Sequence, residues 1–181
     1  MPGGTVVSVS SSGSHRFSKT RRDRIRLLAG IGVAGDSHAG HRVQHRSRVR
    51  VDPDQPNLRQ VHLFGVEALE ALKRAGFPVE PAVLGENITT RGVDLVALPQ
   101  GTRLVFASGG RIEVTGLRNP CSQLNAFAPG LQAALMARDS TGELHRKAGI
   151  MGVVTTSGDV CVGDEMVVEL PREPHERLER V

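Results

Sequence analysis

Short apolar runs, each four to nine residues long, recur along the chain and are separated by turns that often contain glycine. Runs of this length that are rich in Val and Ile are typical of β-strands. The runs cover residues 5–10, 25–33, 61–64, 103–107, 111–116, 150–156, 159–162 and 165–170. Gly109-Gly110 separates two of them and predicts a hairpin turn. The pattern therefore predicts a mainly β fold, with short strands forming a closed or nearly closed barrel.

A few short helices are predicted among the strands. Leu69 and Leu72 share one face of a helix that is expected to end near Ala75, because Gly76 and Pro78 follow it. Asn119 is predicted to cap a second helix, with Pro120 at its first position, since both residue types favour helix starts. Residues 131–137 predict one or two further helical turns.

The remaining segments lack a clear period. Residues 11–24 are polar and basic and are predicted to be a loop, as is the longer stretch 35–57. A loop of this length in a compact domain is usually functional or disordered. Residues 79–90 are predicted to be extended, and the charged residues 171–181 to be a frayed tail.

Composition limits the class of protein. The chain has no Trp or Tyr and only five Phe, so Val, Leu, Ile and Ala must build the core. Two cysteines do not indicate a disulfide framework. The N-terminus lacks the charged and apolar regions of a secretory signal, and no apolar run approaches the roughly 20 residues that span a bilayer. We therefore expect a cytoplasmic protein without a membrane partner.

Charge is concentrated at one end of the chain. Residues 1–50 contain ten Lys and Arg against two acidic residues, whereas the rest of the chain has a net negative charge. This bias indicates either an anionic partner or a solvated basic surface. Nucleic acid is a disfavoured partner, because the aromatic residues that stack on bases are scarce.

The two cysteines differ in local sequence. Cys121 follows Arg118, Asn119 and Pro120, so it is predicted to lie at a helix start beside a cation, where the thiolate form is favoured. A thiolate binds soft metals or attacks electrophiles. The alternative is a structural cysteine. Cys161 lies in an apolar strand-like run and is predicted to be a buried structural residue.

A second group of polar residues lies within the long loop. His38, His41 and His45, together with Asp36, are candidate zinc ligands, but no second ligand cluster accompanies them. Hydrogen bonding around a ligand is the favoured interpretation. The polar segment 85–90 lies in an apolar region, where it either lines a pocket or forms a plain turn.

Several segments together resemble one family. They are GVAGDSHAG (32–40), RQVHL (59–63), LGENITTRGVDL (84–95), LPQGTRL (98–104), VTGLRNPCSQL (114–124) and GIMGVVTTSGDVCVGD (149–164). In this order they resemble the MOSC domains, named for the C-terminal part of molybdenum-cofactor sulfurases. The resemblance implies a mostly antiparallel closed β-barrel with a few short helices. It predicts the domain over residues 18–170, with residues 1–17 as an N-terminal strand and turn that join the barrel.

The resemblance also implies a site. The family's cysteine corresponds to Cys121, which would be the protein ligand of molybdenum in a molybdenum cofactor (molybdopterin). The other positions expected around the pterin and its phosphate are Lys19, His38, Asn87, Thr90, Arg118 and Asn119.

Two functions follow from the resemblance, and the sequence leaves both open. The chain is either a molybdenum-dependent oxidoreductase that reduces N-hydroxylated small molecules, or a carrier that holds the cofactor or a persulfide on Cys121. It contains neither iron–sulfur cysteines nor a pyridoxal-phosphate domain. The expected partner is therefore a separate electron donor or a cysteine desulfurase.

Overall fold

A computed structural model describes residues 3–138 and 140–181, except for the side chains of residues 46 and 47. The strands, in chain order, are β1 (Gly3–Ser11), β2 (Thr20–Arg22), β3 (Arg24–Leu28), β4 (Gly32–Val33), β5 (Val61–Gly65), β6 (Ile88–Arg91), β7 (Arg103–Phe106), β8 (Arg111–Leu117), β9 (Met136–Arg138), β10 (Leu144–Arg146), β11 (Ile150–Thr156), β12 (Gly158–Cys161) and β13 (Glu165–Glu169). The helices are α1 (Arg46–Val49), α2 (Val66–Arg74), α3 (Gln123–Phe127) and α4 (Leu131–Ala134), and a 3-10 turn covers Leu95–Ala97.

Seven strands close into a barrel in the order β13-β7-β8-β11-β5-β6-β1, because β1 also pairs with β13. Only the β5–β6 pair is parallel among these contacts. The predicted fold, a mostly antiparallel closed barrel with a few short helices, is confirmed. Strand β2 extends the sheet beyond β1, and β12, β3 and β4 form a small separate sheet.

The barrel interior is apolar, as the alternating strands require. In β8 every second residue is buried, and Ile112 and Val114 are almost completely enclosed. Leu104 and Phe106 of β7 join them. A second apolar cluster lies outside the barrel, where Phe64 contacts residues of α2, α3 and α4. This second cluster holds the short helices against the end of the barrel that carries the candidate site.

Six local expectations are wrong. The long loop 35–57 contains helix α1, and residues 79–90 are extended only from Ile88 onward, after a series of turns. Residues 11–24 are not all loop, because β2 and the start of β3 lie within them. The helix predicted to start at Pro120 starts instead at Gln123, after Ser122 as its N-cap. Helical structure over residues 131–137 stops at Ala134, and a short strand follows.

The C-terminal segment is the sixth correction. Residues 171–181 are not frayed, because Leu178 is buried in the barrel core. Leu117 donates its backbone N–H to Glu179 O at 2.8 Å, and its own carbonyl accepts from Val181 N at 3.3 Å. The segment thus pairs with the end of β8, immediately before Arg118. Within the described residues, no helix is long and apolar enough to cross a membrane.

Candidate functional site

A cleft of about 690 Å³, measured out to its open side, lies at the end of the barrel where β5, β8 and β11 meet the long loop. Segments far apart in the chain contribute its walls. The lining residues are Arg16, Phe17, Lys19, His38, His45, Arg59, His62, Gly85, Asn87, Arg118, Asn119, Cys121, Gln123 and Met151. Six of the seven residues predicted for the site are among them.

Asp36 connects three of these residues beneath the cleft. Its Oδ2 accepts hydrogen bonds from Lys19 Nζ at 2.7 Å and from Asn87 Nδ2 at 3.1 Å. Its Oδ1 accepts from the backbone N–H of His38 at 3.0 Å and lies 3.2 Å from His38 Nδ1. The side chains of Asp36 and Lys19 are both almost completely buried. A single carboxylate therefore fixes the positions of three predicted ligand-binding side chains.

The protonation of this network follows from its contacts. Burial opposes ionisation of Asp36, but the hydrogen bonds from His38 and the Lys19 ammonium outweigh it and hold the pKa of the carboxyl well below its usual value. Burial lowers the pKa of Lys19, and the Asp36 carboxylate works against that effect. Asp36 is therefore a carboxylate under all ordinary conditions.

The histidines of the long loop do not form a metal site. No group of three His, Cys, Asp or Glu side chains within the described parts of the chain is arranged to hold a metal ion. His38 hydrogen bonds with Asp36, and its ring lies 6.4 Å from that of His45. His41 is exposed and does not line the cleft. The hydrogen-bonding interpretation of His38 is thus favoured over the zinc alternative.

Arg118 is the cation nearest in sequence to Cys121. Its backbone N–H donates to Gly149 O at 3.0 Å, which ties the end of β8 to the turn before β11. Its Nη1 is buried and has no hydrogen-bond partner among the described residues. A buried donor without an acceptor is costly, so this N–H is suited to an acceptor that a ligand brings. Neighbouring Asn119 accepts from Arg146 Nε at 3.4 Å.

Cys121 is half-buried at the cleft, two residues before α3 begins. Its Sγ–H donates to Gln123 Oε1 at 3.7 Å. The expectation that a helix start would support its thiolate is wrong, because the residue lies outside the helix and α3 has only five residues. Arg118 and Cys121 are close enough to interact electrostatically.

Thr90 is the one predicted residue that does not line the cleft. It lies in β6, fully enclosed, opposite Val6 of β1 and Gly65 of β5. Its Oγ1 is buried without a partner among the described residues. The side chain therefore does not line the cleft, and its contact with a ligand stays a prediction of the resemblance.

Sequence reasoning missed several cleft residues. Arg59 and His62 belong to the RQVHL segment of the family resemblance, but neither residue is among those predicted for the site. His62 is buried, and its Nε2 donates to Ala148 O at 2.8 Å. Burial and Arg118 lower the pKa of His62, so its ring is neutral. Burial and the neighbouring cations lower the pKa of His45 to about 4. The excess of basic residues in the first 50 positions includes Arg16, but it did not predict that Arg16 lines the cleft.

Cys161 differs from its expected environment. It is half-buried at the end of β12, as Cys121 is at the cleft, and the following Val162 is 51% exposed. Its backbone N–H donates to Asp164 Oδ2 at 3.0 Å. The expectation of an enclosed thiol is wrong, because alternation along β12 turns Val160 inward and Cys161 outward.

Comparisons with known proteins agree with this geometry. A family model described as the MOSC domain matches residues 34–167. YuaD of Bacillus subtilis, provisionally named for metal-sulfur cluster biosynthesis, is 29% identical in an alignment of 163 residues that covers 83% of this chain and 83% of YuaD. Its crystal structure aligns with a TM-score of 0.76, 26% identity, and coverage of 94% of this chain and 97% of YuaD. YiiM of Escherichia coli shares the fold at 18% identity and a TM-score of 0.58, over 95% of this chain and 73% of YiiM.

Proposed function

Since the chain belongs to the MOSC domain family, we propose that its cleft binds a molybdenum cofactor and that Cys121 is the protein ligand of the metal. One observation carries the proposal. Cys121 lies in the same cleft as four cationic side chains, namely Arg16, Lys19, Arg59 and Arg118, which come from distant parts of the sequence.

The donor set fits a metal that brings its own ligands. A bare ion needs three or four protein ligands, and the described residues provide no such group. A single soft sulfur beside several cations suits an anionic complex in which most ligands belong to the cofactor. The unpartnered Nη1 of Arg118 supplies a buried donor for an anionic oxygen of that complex.

The other residues have roles that follow from their contacts. Asp36 would hold Lys19, His38 and Asn87 in place for the cofactor, so little side-chain entropy is lost when it binds. Gly85 allows close approach at the cleft wall, since its φ is +82° and a Cβ there would lie 2.6 Å from Phe17 O. Gln123 would orient the sulfur of Cys121 through the contact at 3.7 Å.

The proposed reaction is the reduction of N-hydroxylated small molecules. When bound, the cofactor supplies the two-electron chemistry that removes oxygen from an N–O bond, and a separate protein supplies the electrons. The half-buried position of Cys121 leaves one side of the cleft open for a substrate. The cations around the cleft stabilise the negative charge of the cofactor and of the groups that react beside it.

Metal analysis of matched variants tests the proposal. Protein made in a host with an intact cofactor pathway should contain molybdenum and, supplied with an artificial electron donor, should reduce N-hydroxylated bases. Cys121→Ser should lose both the metal and this turnover. Cys161→Ser is the control, because it removes a thiol outside the cleft. Retention of molybdenum by Cys121→Ser would refute the role of Cys121, and absence of turnover at full metal loading would refute the reductase.

A carrier function is the second candidate, and the provisional name of YuaD, which refers to metal-sulfur chemistry, favours it. In this function the Cys121 thiolate takes the terminal sulfur from the persulfide of a cysteine desulfurase and releases the desulfurase thiol. Mass spectrometry after incubation with a desulfurase and cysteine should find one added sulfur on Cys121 and none on Cys161. Turnover of N-hydroxylated bases without sulfur transfer would leave only the enzyme.

A further inference from the structure

A second cavity adjoins the cleft and shares one wall with it. Arg59 lines both spaces. The second space, which we call the arginine groove, has a volume of about 510 Å³ including its open side. Its lining residues are Val43, Arg48, Gln55, Pro56, Leu58, Arg59, Arg180 and Val181. Three arginines thus surround a small groove with apolar walls.

The arginines of the groove are not paired with acidic side chains among the described residues. Across the described residues, no acidic side chain lines the groove, and Arg48, Arg59 and Arg180 form no salt bridge. Some exposed arginines elsewhere are paired, as Arg42 is with Asp54 and Arg103 with Glu113. The groove therefore gathers three arginines without a carboxylate among its lining residues.

The cations are close enough to affect one another. Burial, followed by the charges of Arg48, Arg118 and Arg180, lowers the pKa of Arg59 to about 10. The Arg59 guanidinium therefore remains charged, and its repulsion from the neighbouring arginines destabilises the folded protein. An anion in the groove would relieve that repulsion, and paired N–H groups of arginine match the oxygens of a phosphoryl group.

The C-terminal segment completes the groove. Residues 179–181 pair with Leu117 at the end of β8, which places Arg180 across from Arg59. Gly116 permits this contact, because a Cβ there would lie 2.5 Å from Glu179 O. The segment expected to be frayed is thus fixed where it adds a cation to the groove.

We propose that the arginine groove binds a phosphoryl group of a small molecule whose remaining part lies in the cleft. The proposal extends the proposed function, because it assigns an anionic group to what the cleft binds. The phosphoryl group belongs either to an extension of the cofactor or to a separate phosphorylated substrate. Both sources present the same chemistry to Arg48, Arg59 and Arg180.

Calorimetric titration with inorganic pyrophosphate, using the full chain without cofactor, tests the groove. Arg48→Gln and Arg180→Gln should each weaken binding about tenfold, since each removes one charge-assisted contact. Arg103→Gln is the control for loss of charge far from the groove. It should change the dissociation constant by less than about twofold.

Several results would overturn the proposal. They are no binding to the unmodified chain at millimolar pyrophosphate, an unchanged affinity in either groove variant, or an equal loss in Arg103→Gln. Circular dichroism confirms that each variant is folded. Cys121→Ser should bind pyrophosphate normally, so failure of the metal assignment and failure of the groove are distinguishable.

Loading the chain with cofactor separates the two sources. If pyrophosphate no longer binds to the loaded protein, the cofactor's own anionic extension occupies the groove. If it binds as before, the groove serves a phosphorylated substrate. Each result supports the groove as a phosphoryl site and identifies what fills it.

Discussion

The barrel interior and the cleft beside it are both enclosed, but they are enclosed by different means. In the interior, Leu104, Phe106 and Ile112 pack without polar partners. At the cleft, the buried charges of Asp36 and Lys19 depend on specific hydrogen bonds. Burial of apolar area depends mainly on volume and tolerates change, whereas a buried ion pair fails when one partner is removed. Stability is therefore distributed over the barrel, but the site depends on single residues.

The largest expected effect is at Asp36. Asp36→Ala leaves Lys19 buried without its partner, and it should lower the free energy of unfolding by about 3–5 kcal/mol and abolish cofactor binding. Urea unfolding and metal analysis measure both effects. Asp54→Ala is the matched control, because it breaks only the exposed pair with Arg42 and should change stability by less than about 1 kcal/mol. A loss below about 1 kcal/mol at Asp36 would contradict the importance of the network.

A core substitution should affect stability without affecting the site. Leu104→Ala removes a fully buried side chain from β7 and should lower the free energy of unfolding by about 2–5 kcal/mol. The folded fraction should still bind cofactor at the normal ratio, since β7 contributes no residue to the cleft. Metal content per folded molecule measures this. A ratio that falls with stability would show that the two regions are not separable.

Acid should lower the free energy of unfolding through His45 in the cleft. The pKa of His45 is about 4 in the folded chain against 6.5 in the unfolded chain, so the unfolded state takes up the proton first. This contribution to stability is complete above pH 6.5 and is lost as the pH falls toward 4. His45→Asn should reduce the loss of unfolding free energy over this range by about 1–2 kcal/mol. Urea unfolding at several pH values across the range measures this loss. The prediction is contradicted if the free energy of unfolding of His45→Asn falls with pH as steeply as that of the exposed-site control His41→Asn.

The smallest effect is expected at Cys161. The side chain is half-buried rather than enclosed and points away from the core, so Cys161→Ser should change the free energy of unfolding by less than about 0.5 kcal/mol. Thermal unfolding measures the change. An alkylating reagent should modify both cysteines of the cofactor-free protein, whereas bound cofactor should protect only Cys121. If Cys161→Ser lowered the free energy of unfolding by more than about 1.5 kcal/mol, the enclosed position predicted from the sequence would be the correct one.

Local patterns predicted the elements well where one face of a strand is buried. The alternation in β8 and β13 is visible in the sequence because each second side chain enters the core. The same patterns failed at Pro120 and at the C-terminal segment. There the conformation depends on contacts with distant residues, such as Leu117 with Glu179, which no local pattern records.

By itself, the sequence determined the class of fold, the family and the cysteine at the site. The strand period, the glycine turns and the order of the family segments are all properties of neighbouring residues. Only the tertiary structure decided that Lys19, Asp36, Asn87 and Arg118 meet, that Thr90 is excluded and that Arg180 reaches Arg59. The reason is physical. Barrel closure brings together residues more than a hundred positions apart, as Arg59 and Arg180 are, and the free energy of each contact depends on burial that exists only after closure.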